Sequence, residues 1–453
     1  MTKSVSTTTV SASTVNRATY LKHLLTQASA AADESSLPLK AIRDKAIATV
    51  SARTFPSGRD EEWRFTDLSE MLTKPFQRAT KTNHNKEFRS ISTSKETLSG
   101  ENQLSTTNGH YEPTQSKTLS RPEIIIAPLS DLIKTSEYAQ KLEAIVAQKL
   151  SKVEGADEVF TALNTAGFSD VMVIWVAADQ SHKGPIYINR ASTGDAIAHL
   201  RTLVIAERHA NLTLVESFTD NNSADGNAAA HCNTSVTEIW LAEGAQVEHI
   251  RIQDENSETF HIAKTAVDQA ANSHYQCTAV DLGAKLSRHH LEVYQSGPQT
   301  STNMYGLSVL KNEQLADTHS LLTLTHPHSN ADQIQKNVVD DRAHAVFNGK
   351  VFVSQTAQLT DAAQLNRNLM LSNKARIDTK PELDIIADNV KCAHGATVSQ
   401  LQPDEVFYLQ SRGIAAEQAQ RLLLYGFAME IVEKISVDSL RQSLSDRLTE
   451  WAK

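Results

Sequence analysis

The chain has 453 residues, of which 40% are hydrophobic and 21% are charged, and its formal net charge is −9. This length can bury a large core and predicts two or three domains of an ordinary globular protein. The acidic balance argues against a nucleic-acid-binding protein, which usually presents a basic face. The longest apolar run, Val171 to Ala178, is too short to span a bilayer, and the N-terminus lacks the apolar core of a secretory signal.

Three cysteines, Cys232, Cys277 and Cys392, lie far apart in the sequence and form no CxxC pair. Neither a zinc ribbon nor a four-cysteine cluster site is therefore indicated. So few cysteines are typical of a reducing compartment, and we expect a cytosolic protein. Cys232 and Cys277 are interpreted as core residues.

The N-terminal third predicts helices separated by a polar segment. Residues 1–17 are rich in Ser and Thr and predict a disordered tail. Helical spacing of apolar side chains predicts an N-terminal helical region over residues 18–73, in which Trp63 and Leu68 would anchor a capping element. Residues 74–121 are mostly polar, so we expect a linker or mobile loop. Residues 122–167 predict a mixed connecting segment with one strand and a helix from Ser136 to Val153.

From residue 168 to residue 400, short β-type runs follow one another with no clear helical segment between them. An α/β sheet is therefore not expected. Two all-β architectures remain, a large sandwich and a parallel β-helix of stacked coils. Two-residue hairpin signals are scarce, with Asp225-Gly226 and Asn348-Gly349 as exceptions. This scarcity favours stacked coils without deciding between the two architectures.

The last segment, residues 401–453, predicts a C-terminal helical region. Pro403 suits the first position of a helix, and Gly413 suits the position just after its end. Apolar residues at every fourth position from Leu423 to Ile435 predict a second helix with one apolar face. The segment from Asp438 to Trp451 predicts a third.

A β-type run just before these helices carries a cysteine and a histidine two residues apart, Cys392 and His394. Residues i and i+2 of a strand point to the same face, so the thiol and the imidazole would lie side by side. Both are ligands in iron–sulfur chemistry, and two ligands leave coordination positions for a partner. The residues alone leave open that Cys392 is a small core residue and His394 a hydrogen-bonded turn residue.

Carboxylates suggest a different chemistry, because β-helix folds include enzymes that cleave polysaccharides. Two members of a set of five acidic residues could form an acid/base pair: Asp340, Asp341, Asp378, Glu382 and Asp384. On a strand, however, the adjacent Asp340 and Asp341 would point to opposite faces. The sequence contains neither a GxxxxGK[ST] phosphate-binding loop nor a GxGxxG dinucleotide motif.

Several long blocks of the sequence resemble SufD, of the SufB/SufD family of scaffold proteins in the SUF system of iron–sulfur cluster assembly. The specific match runs from Phe347 to Phe427 and includes VKCAHGATVSQL and DEVFYLQSRGI. A looser match covers Asp60–Leu72 (DEEWRFTDLSEML) and Phe160–Phe218. The VKCAHGATVS block resembles SufD more than SufB.

The resemblance implies a mainly β protein, with a parallel β-helix core over residues 168–400 and N- and C-terminal α-helical regions that cover the ends of the coil stack. It implies a scaffold subunit rather than an enzyme. This subunit would pair with a SufB-like paralogue, or with itself when alone, and would bind a SufC-type ABC ATPase. His394, together with Cys392, would ligate a transient iron–sulfur cluster shared with the paralogue. A flavin is also known from the family, but no motif in this sequence supports it.

The same resemblance places ATPase docking on residues 401–453, where Phe407, Tyr408, Arg412 and Gly413 match the family motif. Each of these residues could equally serve internal packing. Two alternatives remain for the whole protein. It could be a structural adaptor that recruits the ATPase without ligating iron, or a β-helix carbohydrate-active enzyme that uses the carboxylates.

Overall fold

The structure is a computed structural model that describes residues 16–29, 37–79, 102–134, 144–220 and 229–451. Nearly all of the predicted N-terminal tail lies outside the described residues. So do the centre of the predicted linker, part of the helix predicted from Ser136 to Val153, and the Asp225-Gly226 hairpin signal.

Helices lie on both sides of the strand-rich region in the described chain, as the predicted fold class requires. The short 3-10 helices span Glu61–Trp63, Met71–Thr73 and Pro113–Gln115, and residues 144–149 are helical. The α-helices are α1 (Arg17–Ser29), α2 (Leu37–Ser51), α3 (Leu129–Leu132), α4 (Val159–Gly167), α5 (Pro403–Ser411), α6 (Ala416–Val432) and α7 (Asp438–Trp451).

The strands are nine to twelve residues long over most of the core, with an eight-residue strand at β13. Their bounds are β1 (Gln77–Arg78), β2 (Asn102–Thr107), β3 (His110–Tyr111), β4 (Leu119–Arg121), β5 (Ile124–Pro128), β6 (Met172–Val176), β7 (Ser181–Ser192), β8 (Ala196–Ala206), β9 (Asn211–Asp220), β10 (Cys232–Leu241), β11 (Gln246–Asp254), β12 (Phe260–Gln269), β13 (His274–Asp281), β14 (Leu286–Gln295), β15 (Ser301–Leu310), β16 (Leu315–Leu324), β17 (Asn330–Val339), β18 (His344–Val353), β19 (Asp361–Met370), β20 (Arg376–Ile385) and β21 (Lys391–Ser399).

These strands alternate between two sheets. Sheet A contains the even-numbered strands from β6 to β20, and sheet B contains the odd-numbered strands from β7 to β21. Pairing within both of these series is parallel, and the antiparallel pairs among the described strands are β2–β3, β4–β5 and β5–β6. Gln333 pairs with Gln364, and Gln364 pairs with His394, 31 and 30 residues apart along the chain. Each coil thus adds one strand to each sheet, and the predicted parallel β-helix is confirmed.

Asn348-Gly349, which has the sequence of a hairpin turn, does not form one, because both residues lie in the middle of β18. Gly349 is required there by close packing. A Cβ at this position would lie 2.5 Å from Gln364 Nε2 and 2.5 Å from Phe347 Cζ. The glycine therefore makes room for a glutamine side chain of the opposite sheet.

The predicted polar linker differs from the structure over residues 102–121, which hold β2, β3 and β4. Strand β2 pairs with β7 at the edge of sheet B, and Leu104 is fully buried. The polar side chains of β2 are compatible with burial because they find partners. Ser105 Oγ and Gln103 Nε2 both donate to the carbonyl oxygen of Gln115, at 2.9 and 3.0 Å. Composition alone therefore did not predict the strands of this segment, because it does not reveal that polar side chains have hydrogen-bond partners.

The terminal helices cover the outer faces of the two sheets, and the expectation that they cover the open ends of the coil stack is wrong. Helices α1, α2 and α4 pack with outward side chains of sheet A such as Phe260 and Ile262. Helices α6 and α7 pack with outward side chains of sheet B such as Val215 and Ile250. The helices lie on the outer faces because these outward positions are apolar and require burial. At the distal end, β20 and β21 each pair with a strand on one side alone among the described strands, so this end of the stack is open.

A buried ion pair fixes α4 to sheet A. Arg201 Nη2 lies 2.8 Å from Glu238 Oε2, and both side chains are fully buried. The other guanidinium nitrogen donates to Asn164 and Thr165 of α4, at 3.1 and 3.2 Å. Burying this charge is compatible with stability because the carboxylate and the helix supply partners for both terminal nitrogens, which leaves only Nε of this guanidinium without one among the described residues.

Candidate functional site

The distal end of the coil stack brings Cys392 and His394 to the inner face of the last coil. Strand β21 pairs with β19, so that Cys392 lies beside Ala362 and His394 lies beside Gln364. Ala362 and Gln364 are buried inside the stack. Neighbouring positions of a parallel ladder face the same side, so the thiol and the imidazole both point into the open end of the interior. The prediction that they share one face is therefore consistent with the register.

Cys392 is half-buried and packs against the apolar interior of the stack. Burial raises the pKa of its thiol, and the negative charge of Asp361 raises the same pKa further, against a backbone hydrogen bond from Ala362 that lowers it. The thiol is thus protonated at neutral pH, and it would have to lose this proton in order to ligate a metal ion. Cys232 and Cys277, by contrast, are fully buried as expected.

His394 is exposed although it faces the interior side, because no further coil follows it among the described residues. Successive positions on one face of a strand are about 7 Å apart, so the side chains of Cys392 and His394 can converge on one ion. No group of three or more His, Cys, Asp or Glu side chains is arranged to hold a metal in the described part of the chain. Cys392 and His394 are two side chains of the types that ligate iron–sulfur clusters.

Behind this pair lies a set of buried amides that the sequence analysis missed. Their side chains hydrogen-bond to each other across coils, as in the bond from Asn337 Nδ2 to Asn368 Oδ1 at 2.7 Å. Thr379 of β20 donates to Asn366 at 2.8 Å and links the two sheets. In sequence the only signal is the alternation of amides with other residues, which is equally typical of a solvent-facing strand. The buried amides are Gln333, Gln335, Asn337, Gln364, Asn366 and Asn368.

The rim of the open end also presents apolar side chains. Ile386 and Val398 are each 50% exposed, and Ile385 is 39% exposed. Ile385 ends β20, Ile386 follows it, and Val398 lies in β21; within the described chain the outer edges of both strands have free backbone donors and acceptors. Such edges are usually protected, so an exposed and partly apolar one is typical of an interaction surface.

Helix α5 forms a second exposed surface. Phe407 is 69% exposed and Tyr408 is 58% exposed, and α5 has no buried residue. The guanidinium carbon of Arg412 lies 5.4 Å from the centre of the Tyr408 ring, and Gly413 ends the helix with φ = +86°. Internal packing is therefore wrong for the two aromatic side chains.

The five carboxylates considered for an acid/base pair are not brought together. Asp340 and Asp341 lie in the turn after β17 rather than on a strand, beside a crevice of about 680 Å³ that also contacts α6. The others lie on β20, where each pairs with basic side chains. Asp378 contacts His344 and Arg376, Glu382 contacts Lys380, and Asp384 contacts Lys350, all within 3.2 Å.

The N-terminal block DEEWRFTDL is held on the outer face of sheet A by an ionic cluster. His319 lies between Glu62 and Asp317, with nitrogen–oxygen distances of 3.1 and 2.9 Å. Burial favours neutral His319, but Asp317 and Glu62 outweigh this effect and raise the pKa of the imidazole. Arg288 also contacts Asp317, and its guanidinium stacks 4.0 Å from the Trp63 ring. Protonated His319 thus attracts the segment to the sheet.

Comparisons with known proteins give the relationship. Residues 187–427 match the family model of the SUF system FeS cluster assembly, SufBD core domain, and residues 14–188 match that of the SufBD protein N-terminal region. The chain belongs to the SufBD family. The SufBD core match begins within β7 and ends within α6, so it includes Cys392, His394 and helix α5.

Named relatives agree with this assignment to the SufBD family. An iron–sulfur cluster assembly SufBD family protein of Synechocystis sp. is 41% identical over 439 residues, which is 94% of this chain and 93% of that relative. The chloroplastic protein ABCI7 of Arabidopsis thaliana is 32% identical over 423 residues, 91% of this chain and 86% of its own. The iron–sulfur cluster assembly protein SufD of Escherichia coli is 32% identical over 300 residues, 64% of this chain and 69% of its own.

The resemblance to SufD is thereby confirmed, and the chain is a SufBD family protein of iron–sulfur cluster assembly. Within the described residues, none of the helices combines the length and the apolar composition that a bilayer crossing requires.

Proposed function

We propose that this SufBD protein is a scaffold subunit whose open coil end binds a SufB-like paralogue and shares a transient iron–sulfur cluster with it. One observation carries the proposal. A thiol and an imidazole, Cys392 and His394, lie on the inner face of the last coil, at the open end of a stack whose last strands have unpaired edges among the described residues. The apolar rim at Ile385, Ile386 and Val398 supplies surface for the contact.

The number of ligands supports a shared site. An iron–sulfur cluster is held by about four protein ligands, whereas Cys392 and His394 supply two. A partner that stacks on the open end would bring further ligands to the same space and would cover the thiol. The resulting exclusion of water strengthens the attraction between cluster and ligands. The cluster is cargo here, assembled on the two subunits and passed on.

We further propose that a SufC-type ABC ATPase docks on α5. The sequence has no phosphate-binding loop of its own, so nucleotide hydrolysis needs a separate subunit. Phe407 and Tyr408 give the ATPase two exposed aromatic side chains, a residue class enriched at interface hot spots. Arg412 and Gly413 shape the end of the same helix.

Helix α6 connects this docking surface to the coil stack. Lys336 on β17 donates to the carbonyl oxygen of Phe427 at 2.9 Å, and its charge pairs with Glu430. Leu424 and Ile431 of the same helix are buried against sheet B. A movement of α5 driven by nucleotide would therefore reach sheet B, whose last strand carries the candidate ligands.

In this proposal the chain acts in the cytosol and is not itself an enzyme. All three cysteines are unpaired, as in a reducing compartment. The same open end could bind a second copy of the chain when no paralogue is present. The flavin known from the family gains no support from the described residues, and the carbohydrate-active alternative fails because its carboxylates are dispersed.

The test uses the complex. The chain is co-expressed with SufB-like and SufC-type partners, purified anaerobically, and assayed for iron content and for the absorption of a bound cluster. His394→Ala should lower cluster content severalfold without loss of the complex, and Cys392→Ala should lower it to a similar or smaller degree. His328→Ala, which changes an exposed histidine in a turn, is the matched control. Full cluster content in His394→Ala would favour the structural adaptor instead.

A further inference from the structure

The buried amides behind the candidate ligands end in an acceptor that has no partner. Gln364 is 2% exposed, and its Oε1 atom has no hydrogen-bond donor within reach among the described residues. This residue lies directly beside His394 in the ladder between β19 and β21. Neighbouring strands are about 4.8 Å apart, so the imidazole belongs to the residue of the last coil that is in register with this unpaired oxygen, although the two groups do not hydrogen-bond in the structure.

The hydrogen bonds that Gln333 and Gln364 donate run in the same direction from coil to coil. Gln333 Nε2 donates to Ser320 Oγ at 2.7 Å, and Gln364 Nε2 donates to Gln333 Oε1 at 2.9 Å. Each amide thus uses its N–H on the preceding side and offers its oxygen to the next coil. Gly349 keeps this arrangement open, because a Cβ there would lie 2.5 Å from Gln364 Nε2. The next coil after Gln364 contributes His394.

We propose that Gln364 is a positioning residue for His394. When the imidazole turns towards Gln364, the unpaired Oε1 atom accepts its N–H, which fixes one tautomer and leaves the lone pair of the other ring nitrogen free for iron. An imidazole cannot donate and coordinate through the same nitrogen, so the partner of one nitrogen decides which one binds metal. Supporting contacts of this kind orient metal-ligating histidines generally. This inference rests on the proposed function, because the contact between Gln364 and His394 matters for cluster assembly only if His394 is a ligand.

The experiment reads the tautomer directly in the full-length chain without metal. Histidine is labelled with ¹⁵N in an otherwise deuterated chain, and long-range proton–nitrogen spectra are recorded at about pH 8.5, above the ordinary imidazole pKa of about 6.5. The His394 signals are assigned by their disappearance in His394→Gln. Exposed His328 serves as the internal reference for a ring without a fixed partner.

We expect a single tautomer for His394 and a mixture for His328. Gln364→Met keeps the length of the side chain and removes the acceptor, so His394 should change to a mixture. Gln335→Met is the matched control, because Gln335 is an equally buried amide. It pairs in register with Asn366, which pairs with Ala396 of the last coil and not with a histidine. This variant should leave His394 unchanged.

Three results would overturn the proposal. The first is a mixture at His394 in the wild-type chain, which needs no variant to fold. The second is an unchanged single tautomer in Gln364→Met, and the third is an equal change in Gln335→Met. The ligand role fails separately. If His394→Ala retains full cluster content while wild-type His394 shows one tautomer, the contact with Gln364 stands and iron ligation does not.

Discussion

Gly349→Ala tests whether the interior next to the site is packed as closely as the structure indicates. An alanine Cβ at this position meets Phe347 Cζ and Gln364 Nε2, each at 2.5 Å. The phenylalanine ring is 1% exposed and cannot turn aside freely. The glutamine amide is held by its bond to Gln333. Both neighbours must therefore shift, and the change will be felt at the last coils.

The magnitude follows from two opposing effects. Overfilling a closely packed interior costs about 1–3 kcal/mol, whereas replacing glycine restricts the unfolded chain and returns about 0.4–1 kcal/mol. We therefore expect Gly349→Ala to lose about 1–2 kcal/mol of unfolding free energy. Gly395→Ala is the matched control, because its Cβ would meet only Leu365 Cδ1, at an ordinary 3.4 Å. It should be neutral or slightly stabilising.

The measurement is urea denaturation of the full chain, followed by circular dichroism of the sheets. The midpoint of Gly349→Ala should fall below that of the parent protein, while that of Gly395→Ala should not. Equal midpoints for the two variants would refute the inference that Gly349 is present for close packing.

Three further predictions concern the rest of the chain. Arg201→Met leaves the Glu238 carboxylate buried without its cation, so urea denaturation should show a loss of about 3–5 kcal/mol that adding Glu238→Leu partly recovers; no recovery would contradict this. The raised pKa of His319 makes its stabilisation complete below the ordinary value of about 6.5 and lost as pH rises through the raised value. Hydrogen exchange of residues 61–66, corrected for intrinsic rates, should thus lose protection as pH rises above the ordinary imidazole pKa of about 6.5, but not in His319→Gln. Phe407→Ala should change stability by less than about 0.5 kcal/mol yet weaken ATPase binding about tenfold by calorimetry; unchanged affinity would exclude docking there.

The fold could be predicted because many short strands without intervening helices leave few architectures, and the family resemblance selects one of them. The placement of the terminal helices could not. Whether these helices cover the ends of the coil stack or the outer faces of the sheets depends on which strand residues point outward and are apolar. Phe260 and Ile262 are two such residues. The buried strand β2 was also missed, because its polar side chains are satisfied by partners that composition does not reveal.

The candidate ligands could be predicted from two-residue spacing and family motif, but their support could not. Gln364, Asn366 and Asn368 alternate with Leu365 and Arg367, and alternation alone does not say which set faces inward. Only the register between coils shows that the amides lie inside the stack. The same register shows that Gln333 and Gln364 occupy equivalent positions on successive coils and that His394 takes this position on the last coil. Helix α5 was predicted as a helix, while the exposure of its aromatic residues depends on how α6 packs on sheet B.

The central claim, that His394 completes a cluster shared with a partner subunit, can be tested most directly by isotope labelling. The complex is assembled from this chain, labelled with ¹⁵N-histidine, and from unlabelled partners, and the cluster is formed anaerobically and reduced. Pulsed electron paramagnetic resonance should then detect a directly coordinated ¹⁵N nucleus that is absent from the His394→Ala complex. A reduced cluster without any coupled ¹⁵N would contradict the claim.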